Sequence, residues 1–273
     1  MSEKPRDHHR GIVLRTERIT PHMIRIVAGG DGLRDFATSG LTDHYVKLVF
    51  KVPGVDYPEP FEVATVRATM PRDCWPKLRT YTVRAWDPDA LELTLDFVHH
   101  GDKGLAGPWA AQAQPGDEVL MLGPGGGYAP SPSADWHLMV GDESAIPAIA
   151  VALESLPEDA VVRAFIEVEE PAEEQKVDSR VTWLHRSGGP VGEALVRAVQ
   201  EASFPEGEVH AFVHGEAGFV KELRKHLRVE REIPLERLSI SGYWRLGVDD
   251  EGWRAVKRDW NRQVEEEEAA AIG

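Results

Sequence analysis

Residues 79–84 read RTYTVR: two cations and a tyrosine, separated by hydroxyls and a valine. In an extended chain, Arg79, Tyr81 and Val83 share one side, and Thr80, Thr82 and Arg84 the other. A guanidinium and an aromatic on one face could hold a flat ring that carries a phosphate, and Thr82 adds a short hydroxyl on the other face. A solvated strand with snorkelling arginines explains the same six residues equally well, and on their own they leave both readings open. Further along, HHGDKGLAGPWA (99–110) takes a glycine-rich turn into a helix start. Free amides and the positive end of the dipole make such a start a second place for a pyrophosphate. LGPGGGYAP (122–130) then presents Tyr128 from a loop whose glycines permit close backbone approach.

Two turns in the second half share another pattern. In VGDESAIPAI (140–149), Gly141 follows a strand and Asp142, Glu143 and Ser144 open a helix; in FVHGEAGFVKEL (212–223), Gly215 and Glu216 occupy the same relative places. Neither is a G-x-G-x-x-G, and Ser144 would serve equally as a helix cap. Two strand ends of this kind in one parallel sheet would make a nucleotide crevice. Glu167 and Glu169 end the next strand, where an acid takes a ribose 2′-hydroxyl and repels a 2′-phosphate, a lean towards NADH; Arg186 could instead hold that phosphate.

The elements that must position these residues fall into two halves. To about residue 130 the chain reads as β: GIVLRTERIT, HMIRIVAGG, HYVKLVFKV, EVATVRATM, RTYTVRAW, ALELTLDFVHH and DEVLMLG are short, alternating or β-branched, and separated by Pro, Gly and Asp. Six or so such strands close a small antiparallel barrel. From Asp135 strands and helices alternate, which predicts a doubly wound parallel α/β domain. The expected fold is therefore a β-barrel domain over 1–132 and an α/β domain over 133–273, joined at PSPSAD (130–135). The tail places Trp253, Val256, Trp260 and Val264 on one helical stripe. That stripe predicts a terminal helix docked on its own domain, with a cover over a ligand cleft as the alternative.

Composition bounds the rest. A chain of 273 residues with 42% hydrophobic and 28% charged content suits two soluble globular domains, and no apolar run reaches the roughly 20 residues of a membrane span. The segment MSEKPRDHHRG has no apolar core behind its charges and does not read as a signal peptide. A cytoplasmic monomer is the default expectation. The single cysteine, Cys74, excludes a disulfide framework and a thiolate cluster, and reads as a small core or loop residue. His8 and His9 are expected to be disordered. A net charge of −15 argues against nucleic acid as a partner.

Taken together, RTYTVR, HHGDKGLAGPWA, LGPGGGY, GDESAIPAI, HGEAGFVKELRKHL and SGYWRLG come in an order that resembles the siderophore-interacting protein family, over about residues 10–250. Those proteins are similar to ferredoxin–NADP reductases, with an FAD-binding barrel and an NAD(P)H-binding domain. The resemblance implies that Arg79 meets the FAD phosphates, Tyr81 stacks on the isoalloxazine, and Thr82, with Thr80 beside it, lies near the flavin N5 edge. It places His99, His100 and Gly101 beside the pyrimidine or ribityl, the amides of Gly104, Leu105 and Ala106 on the pyrophosphate, and Tyr128 near the adenine. Gly141, Asp142, Glu143, Ser144, Gly215 and Glu216 would face the nicotinamide nucleotide. Relatives often have Ser-Arg where this chain has Gly107-Pro108, so a hydroxyl contact to the pyrophosphate is missing.

The activity so implied is a hydride from NAD(P)H to FAD, then single electrons to a ferric siderophore. Fe³⁺ is a hard ion held by oxygen donors, and reduction weakens that hold. No nucleophile, catalytic acid or metal-ligand set is expected in the protein. Ferric siderophores are frequently anionic, so Lys47, Lys51 and Arg245 are the candidate substrate contacts. The alternatives are a flavin reductase serving an electron-carrier protein, and a non-enzymatic flavin or siderophore carrier; a complete nicotinamide half counts against the carrier.

Overall fold

The computed structural model describes residues 8–272. The described residues divide into two compact units, one of residues 8–19 and 23–126 and one of 20–22 and 127–272.

The first unit is built on β1 (His8–Thr20), β2 (Met23–Gly29), β3 (Tyr45–Phe50), β4 (Lys77–Asp87), β5 (Glu92–Val98) and β6 (Glu118–Gly125). They close into a barrel in the order β1-β2-β5-β4-β3-β6. Alternation does what a half-buried strand requires: Ile24, Ile26 and Ala28 of β2, Val46 and Leu48 of β3 and Leu93, Leu95 and Phe97 of β5 fill the interior. Helix α1 (Val63–Thr69) lies between β3 and β4, and α2 (Ala106–Gln112) between β5 and β6. Ala106 and Ala110 of α2 join the barrel core.

Two expectations are corrected here. EVATVRATM is not a strand but the site of α1. Its buried residues, Val63 and Val66, are three apart, a helical spacing that the β-branched composition disguises. They pack with Phe61, Val49 and Leu78 in a second apolar cluster. His8 and His9 begin β1 rather than a disordered arm; His9 is buried, its Nε2 lies 3.0 Å from the Gly123 carbonyl and its ring meets Phe36 edge-on at 5.2 Å. Cys74 ends a 3-10 turn, half-buried.

The second unit holds β7 (Trp136–Gly141), α3 (Ile146–Ser155), β8 (Val162–Val168), β9 (Val181–His185), α4 (Glu193–Glu201), β10 (Val209–Glu216), α5 (Ala217–Lys225), β11 (Leu238–Trp244) and α6 (Asp250–Ile272). Its sheet runs β11-β10-β7-β8-β9, with all four pairings parallel. β7 is buried along its whole length, as a strand covered on both faces must be. The order reverses between β7 and β10, which makes their carboxyl ends the topological switch point. The hairpin turn Thr20–His22 belongs to this unit: buried Glu173 accepts from the Thr20 hydroxyl at 2.6 Å and the His22 amide at 3.1 Å, and lies 2.7 Å from His22 Nδ1.

Helix α6 docks on its own unit, but on a stripe that differs from the sequence expectation. Trp253 and Val264 are buried and Trp260 half-buried, whereas Val256 is 45% exposed. The place Val256 was given belongs to Lys257, whose ammonium bonds Ser241 Oγ at 3.1 Å. The stripe continues to Glu268, which ion-pairs with Arg224 at 2.6 Å and Arg228 at 2.7 Å. A long side chain can bury its stem and keep a polar tip satisfied, so a lysine sits within a seam that apolar counting assigns to its neighbour.

Candidate functional site

In the first unit the register decides which way RTYTVR points. Arg79 pairs with Leu48 and Tyr81 with Val46, both residues of the barrel interior, and Val83 is itself in that core. Arg79, Tyr81 and Val83 thus share the inward face. Tyr81 is half-buried with its ring tilted at 4.2 Å over Phe97, and Arg79 is half-buried with Nη1 donating to the Leu78 carbonyl at 3.0 Å. Thr80, exposed, and Thr82, half-buried, sit opposite Lys47 and Tyr45 on the outward face. Arg84 falls at a β-bulge between Val83 and Ala85, and it lines a cleft on the barrel wall with Arg15 and Arg25. The two arginines of the motif are not equivalent.

The turn after β5 carries His99, half-buried, and His100 and Gly101, exposed. Gly101 and Gly104 adopt φ of +68° and +85°, and a Cβ on either would meet open space. Backbone conformation rather than crowding requires glycine here. The chain then enters α2 through Leu105, with Ala106 as its first residue and no side-chain cap on the helix start. Uncapped first-turn amides behind left-handed glycines fit an anionic diphosphate, and so fit a dinucleotide flavin with Tyr81 in the same unit. Gly107 has a different reason: a Cβ there would lie 2.9 Å from the Val98 carbonyl. A serine at this position would need that backbone to move, and Pro108 offers no amide. Lys47 is half-buried on β3. Lys51 lies one residue beyond that strand rather than on it, its ammonium 4.3 Å above the Phe61 ring.

In the second unit the switch-point residues are tied to one another. Asp142 is fully buried. It accepts from the Ser144 amide at 2.9 Å, the Ser144 hydroxyl at 2.5 Å, the Glu216 amide at 2.8 Å and Trp244 Nε1 at 2.8 Å. One carboxylate therefore clamps the ends of β7, β10 and β11. Burial, then the nearby Glu143 charge, pushes its pKa up to about 6, while the bonds from Ser144 and Trp244 pull the other way. Glu216 caps α5, accepting from the Gly218 and Phe219 amides, and also takes the Leu246 amide at 3.1 Å. The glycines serve this packing: a Cβ on Gly141 would lie 2.4 Å from Ala145 Cβ, and one on Gly215 (φ +145°) 2.5 Å from the Phe219 ring. Tyr128 is buried, 4.9 Å from the rings of both His210 and Phe212. Arg245 is exposed just after β11.

The acids and the arginine at the ends of β8 and β9 form one cluster. Arg186 bonds Glu143 through both terminal nitrogens, reaches Glu169 from Nε at 3.1 Å and lies 3.4 Å from Glu167. Burial opposes its charge, but the bond and charge of Glu143, then Glu169 and Glu167, hold its pKa above the ordinary guanidinium value. Glu167 is fully buried and accepts from the Gly192 amide at 2.7 Å, a structural acid at the start of α4. Trp244, quoted in the sequence only as part of SGYWRLG, is tied to Asp142 by a bond that only long-range geometry reveals. Among the described residues no His/Cys/Asp/Glu group is arranged to hold a metal ion, and no helix is long and apolar enough to cross a membrane.

A closed antiparallel barrel followed by a parallel sheet with this switch point is the ferredoxin-reductase type of FAD/NAD fold. The ferredoxin reductase of carbazole 1,9a-dioxygenase shares it at a TM-score of 0.62, with 14% identity over 89% of this chain and 71% of that one. Within that class, residues 12–128 match the siderophore-interacting FAD-binding domain and residues 134–247 the siderophore-interacting protein domain. The chain belongs to the siderophore-interacting protein family. An uncharacterized protein of Mycobacterium tuberculosis strain H37Rv is 45% identical over 94% of this chain and 95% of its own. The NADPH-dependent ferric-chelate reductase of Escherichia coli K12 is 33% identical over 85% and 91%. The crystal structure of a siderophore utilization protein from T. fusca superposes with a TM-score of 0.78 at 38% identity, covering 90% of this chain and 96% of that one.

Proposed function

We propose that this protein is an NAD(P)H-dependent, FAD-containing reductase of ferric siderophores. The observation that carries the reading is the presence, in one chain, of an uncapped glycine-entered helix on a closed barrel and a complete parallel sheet with its crevice at β7 and β10. The first suits a flavin dinucleotide and the second a pyridine nucleotide. A carrier of flavin or siderophore needs only one of them. The names of the E. coli and T. fusca relatives support the iron chelate as the substrate.

FAD, when bound, supplies the conversion of a two-electron hydride donor into single-electron reduction of Fe³⁺. The chain's own residues bind and orient. Arg79 meets the phosphates, Tyr81 gives a flat face, and Thr82 is the hydroxyl at the flavin edge. Gly104, Leu105 and Ala106 direct their amides at the pyrophosphate, and His99, His100 and Gly101 line the turn before them. In the second unit Gly141, Ser144 and Gly215 form the backbone of the nucleotide crevice. Asp142, Glu143 and Glu216 shape that crevice through the bonds they already make. Lys47, Lys51 and Arg245 are the cationic side chains proposed to meet an anionic chelate, and no acid, base or nucleophile of the protein takes part in the electron transfer.

The test is spectroscopic. The purified protein, loaded with FAD, is expected to show an oxidised flavin spectrum that bleaches with NADH or NADPH under anaerobic conditions. Addition of a ferric hydroxamate or catecholate restores the colour, with Fe²⁺ trapped by a chromogenic chelator. Bleaching without reoxidation by any ferric chelate would favour a flavin reductase that serves another acceptor. A protein that takes up no FAD ends the proposal.

A further inference from the structure

The Arg186 cluster bears on which pyridine nucleotide the crevice takes, a choice that rests on the reductase reading above. It stands at the carboxyl ends of β8 and β9, the part of a doubly wound sheet that meets the adenosine ribose of a dinucleotide. A free arginine at this place would receive a 2′-phosphate as a bidentate partner. Arg186 is not available for that. Its side chain is 8% exposed, and its bonds go to Glu143, Glu167 and Glu169. Three carboxylates around one guanidinium leave two formal negative charges, and a phosphate brought here meets like charge.

The same cluster leaves one acceptor facing outward. Glu167 is fully buried, whereas the Glu169 side chain is 42% exposed. The loop after β9 wraps round Glu169: Arg186 Nε holds one carboxylate oxygen at 3.1 Å and the Gly188 amide the other at 3.0 Å. Ser187 and Gly188, at φ of +50° and +81°, make the tight bend that brings that amide in. The hydrogen bond from Arg186, then the Gly188 amide, hold the Glu169 carboxyl below its ordinary pKa against the opposing cost of burial. Glu169 is thus an ionised, fixed acceptor with open lone pairs, the group that a ribose 2′-hydroxyl requires and a 2′-phosphate does not tolerate.

We infer that Glu169, oriented by Arg186, makes this protein select NADH over NADPH, and that Glu143 and Glu167 enforce the choice by keeping Arg186 from binding a 2′-phosphate. Glu169 is the specificity-determining residue and Arg186 a positioning residue.

Two measurements on the full-length protein test this. In the first, 5′-AMP and 2′,5′-ADP are titrated calorimetrically, which reads the adenosine site without flavin or turnover. 5′-AMP is expected to bind at least about tenfold more tightly, a difference of about 1.4 kcal/mol; equal or tighter binding of 2′,5′-ADP, or no binding of either, overturns the inference. In the second, flavin reduction by NADH and by NADPH is compared for the wild type, Glu169→Gln and a control, Glu201→Gln, at an exposed acid on α4. NADH is expected to lead in kcat/KM, and Glu169→Gln to move the ratio towards NADPH by about tenfold or more, with Glu201→Gln unchanged. An unchanged ratio in Glu169→Gln overturns the assignment. Reduction by neither nucleotide, with the AMP contrast intact, would fault the reductase reading and not the adenosine site.

Discussion

At the scale of single residues, charge and burial set the outcomes. Arg79 is expected to hold FAD through charge-assisted bonds worth about 1.5–3 kcal/mol. Arg79→Ala should therefore weaken FAD binding by roughly ten- to a hundredfold, read from the flavin-to-protein absorbance ratio after dialysis. Arg84→Ala should leave that ratio unchanged, because Arg84 sits at the bulge and lines a different cleft. Asp142 and His214 contribute to acid stability with opposite signs. Asp142, raised from 3.8 to about 6, binds a proton in the folded state that the unfolded chain does not hold. Its stabilising contribution is complete below about pH 3.8 and is lost as pH rises through about 6. Burial, then the Lys257 charge, lowers His214 from 6.5 to about 3, with Ser239 opposing; its contribution is present above 6.5 and lost as pH falls towards 3. Between pH 4 and 6 the two offset each other. Asp142→Asn should expose the His214 slope, losing stability on acidification by about 1.4 kcal/mol per pH unit more than the wild type does. Denaturant melts at pH 4, 5 and 6 would measure it, and a slope equal to that of the wild type would contradict the assignment.

At the scale of elements, α2 and α6 make separate demands. Gly107 lets the first turn of α2 press against the Val98 carbonyl, where a Cβ would lie at 2.9 Å. Gly107→Ser is expected to cost about 1–3 kcal/mol by overpacking, seen as a lower thermal midpoint of the FAD-loaded protein rather than as the gain of a useful hydroxyl. Helix α6 is held by buried Trp253 and Val264 and by Glu268 between Arg224 and Arg228. Glu268→Gln leaves two guanidinium groups short of a charge and should destabilise the second unit by about 1–3 kcal/mol. The loss should shrink in high salt, since the pairs are partly solvated. Hydrogen exchange of α6 amides would report it. Much of this was legible in the sequence. The barrel strands announced themselves by alternation or β-branched runs between turn signals, and the second half by alternating strands and helices. α1 was misread because Val63 and Val66 carry strand-type side chains on a helical spacing.

At the scale of the whole molecule, each unit has its own core, one inside the barrel and one between the parallel sheet and its helices. Removal of α6 after Asp249 should therefore act on the second unit alone. Loss of the Trp253 and Val264 burial, about 1.5–3 kcal/mol for each large apolar side chain, should lower the unfolding midpoint of that unit. Flavin retention by the barrel should remain, measured as cofactor absorbance across the same melt. A single transition that lost flavin and helix together would contradict the independence of the two cores.

By itself the sequence determined the local matters: the two halves, the strand periods, the glycine-entered helix and the order of motifs that marks the family. These follow from side-chain chemistry between near neighbours, which a linear pattern records. The tertiary structure decided how distant residues were used. It showed that Asp142 and Glu216 tie strand ends together, that Trp244 completes that clamp, and that Arg186 is spent on three carboxylates. In RTYTVR it turned Arg79 inward beside Tyr81 and sent Arg84 to another cleft, because register and a bulge, not residue type, set the direction of a strand side chain.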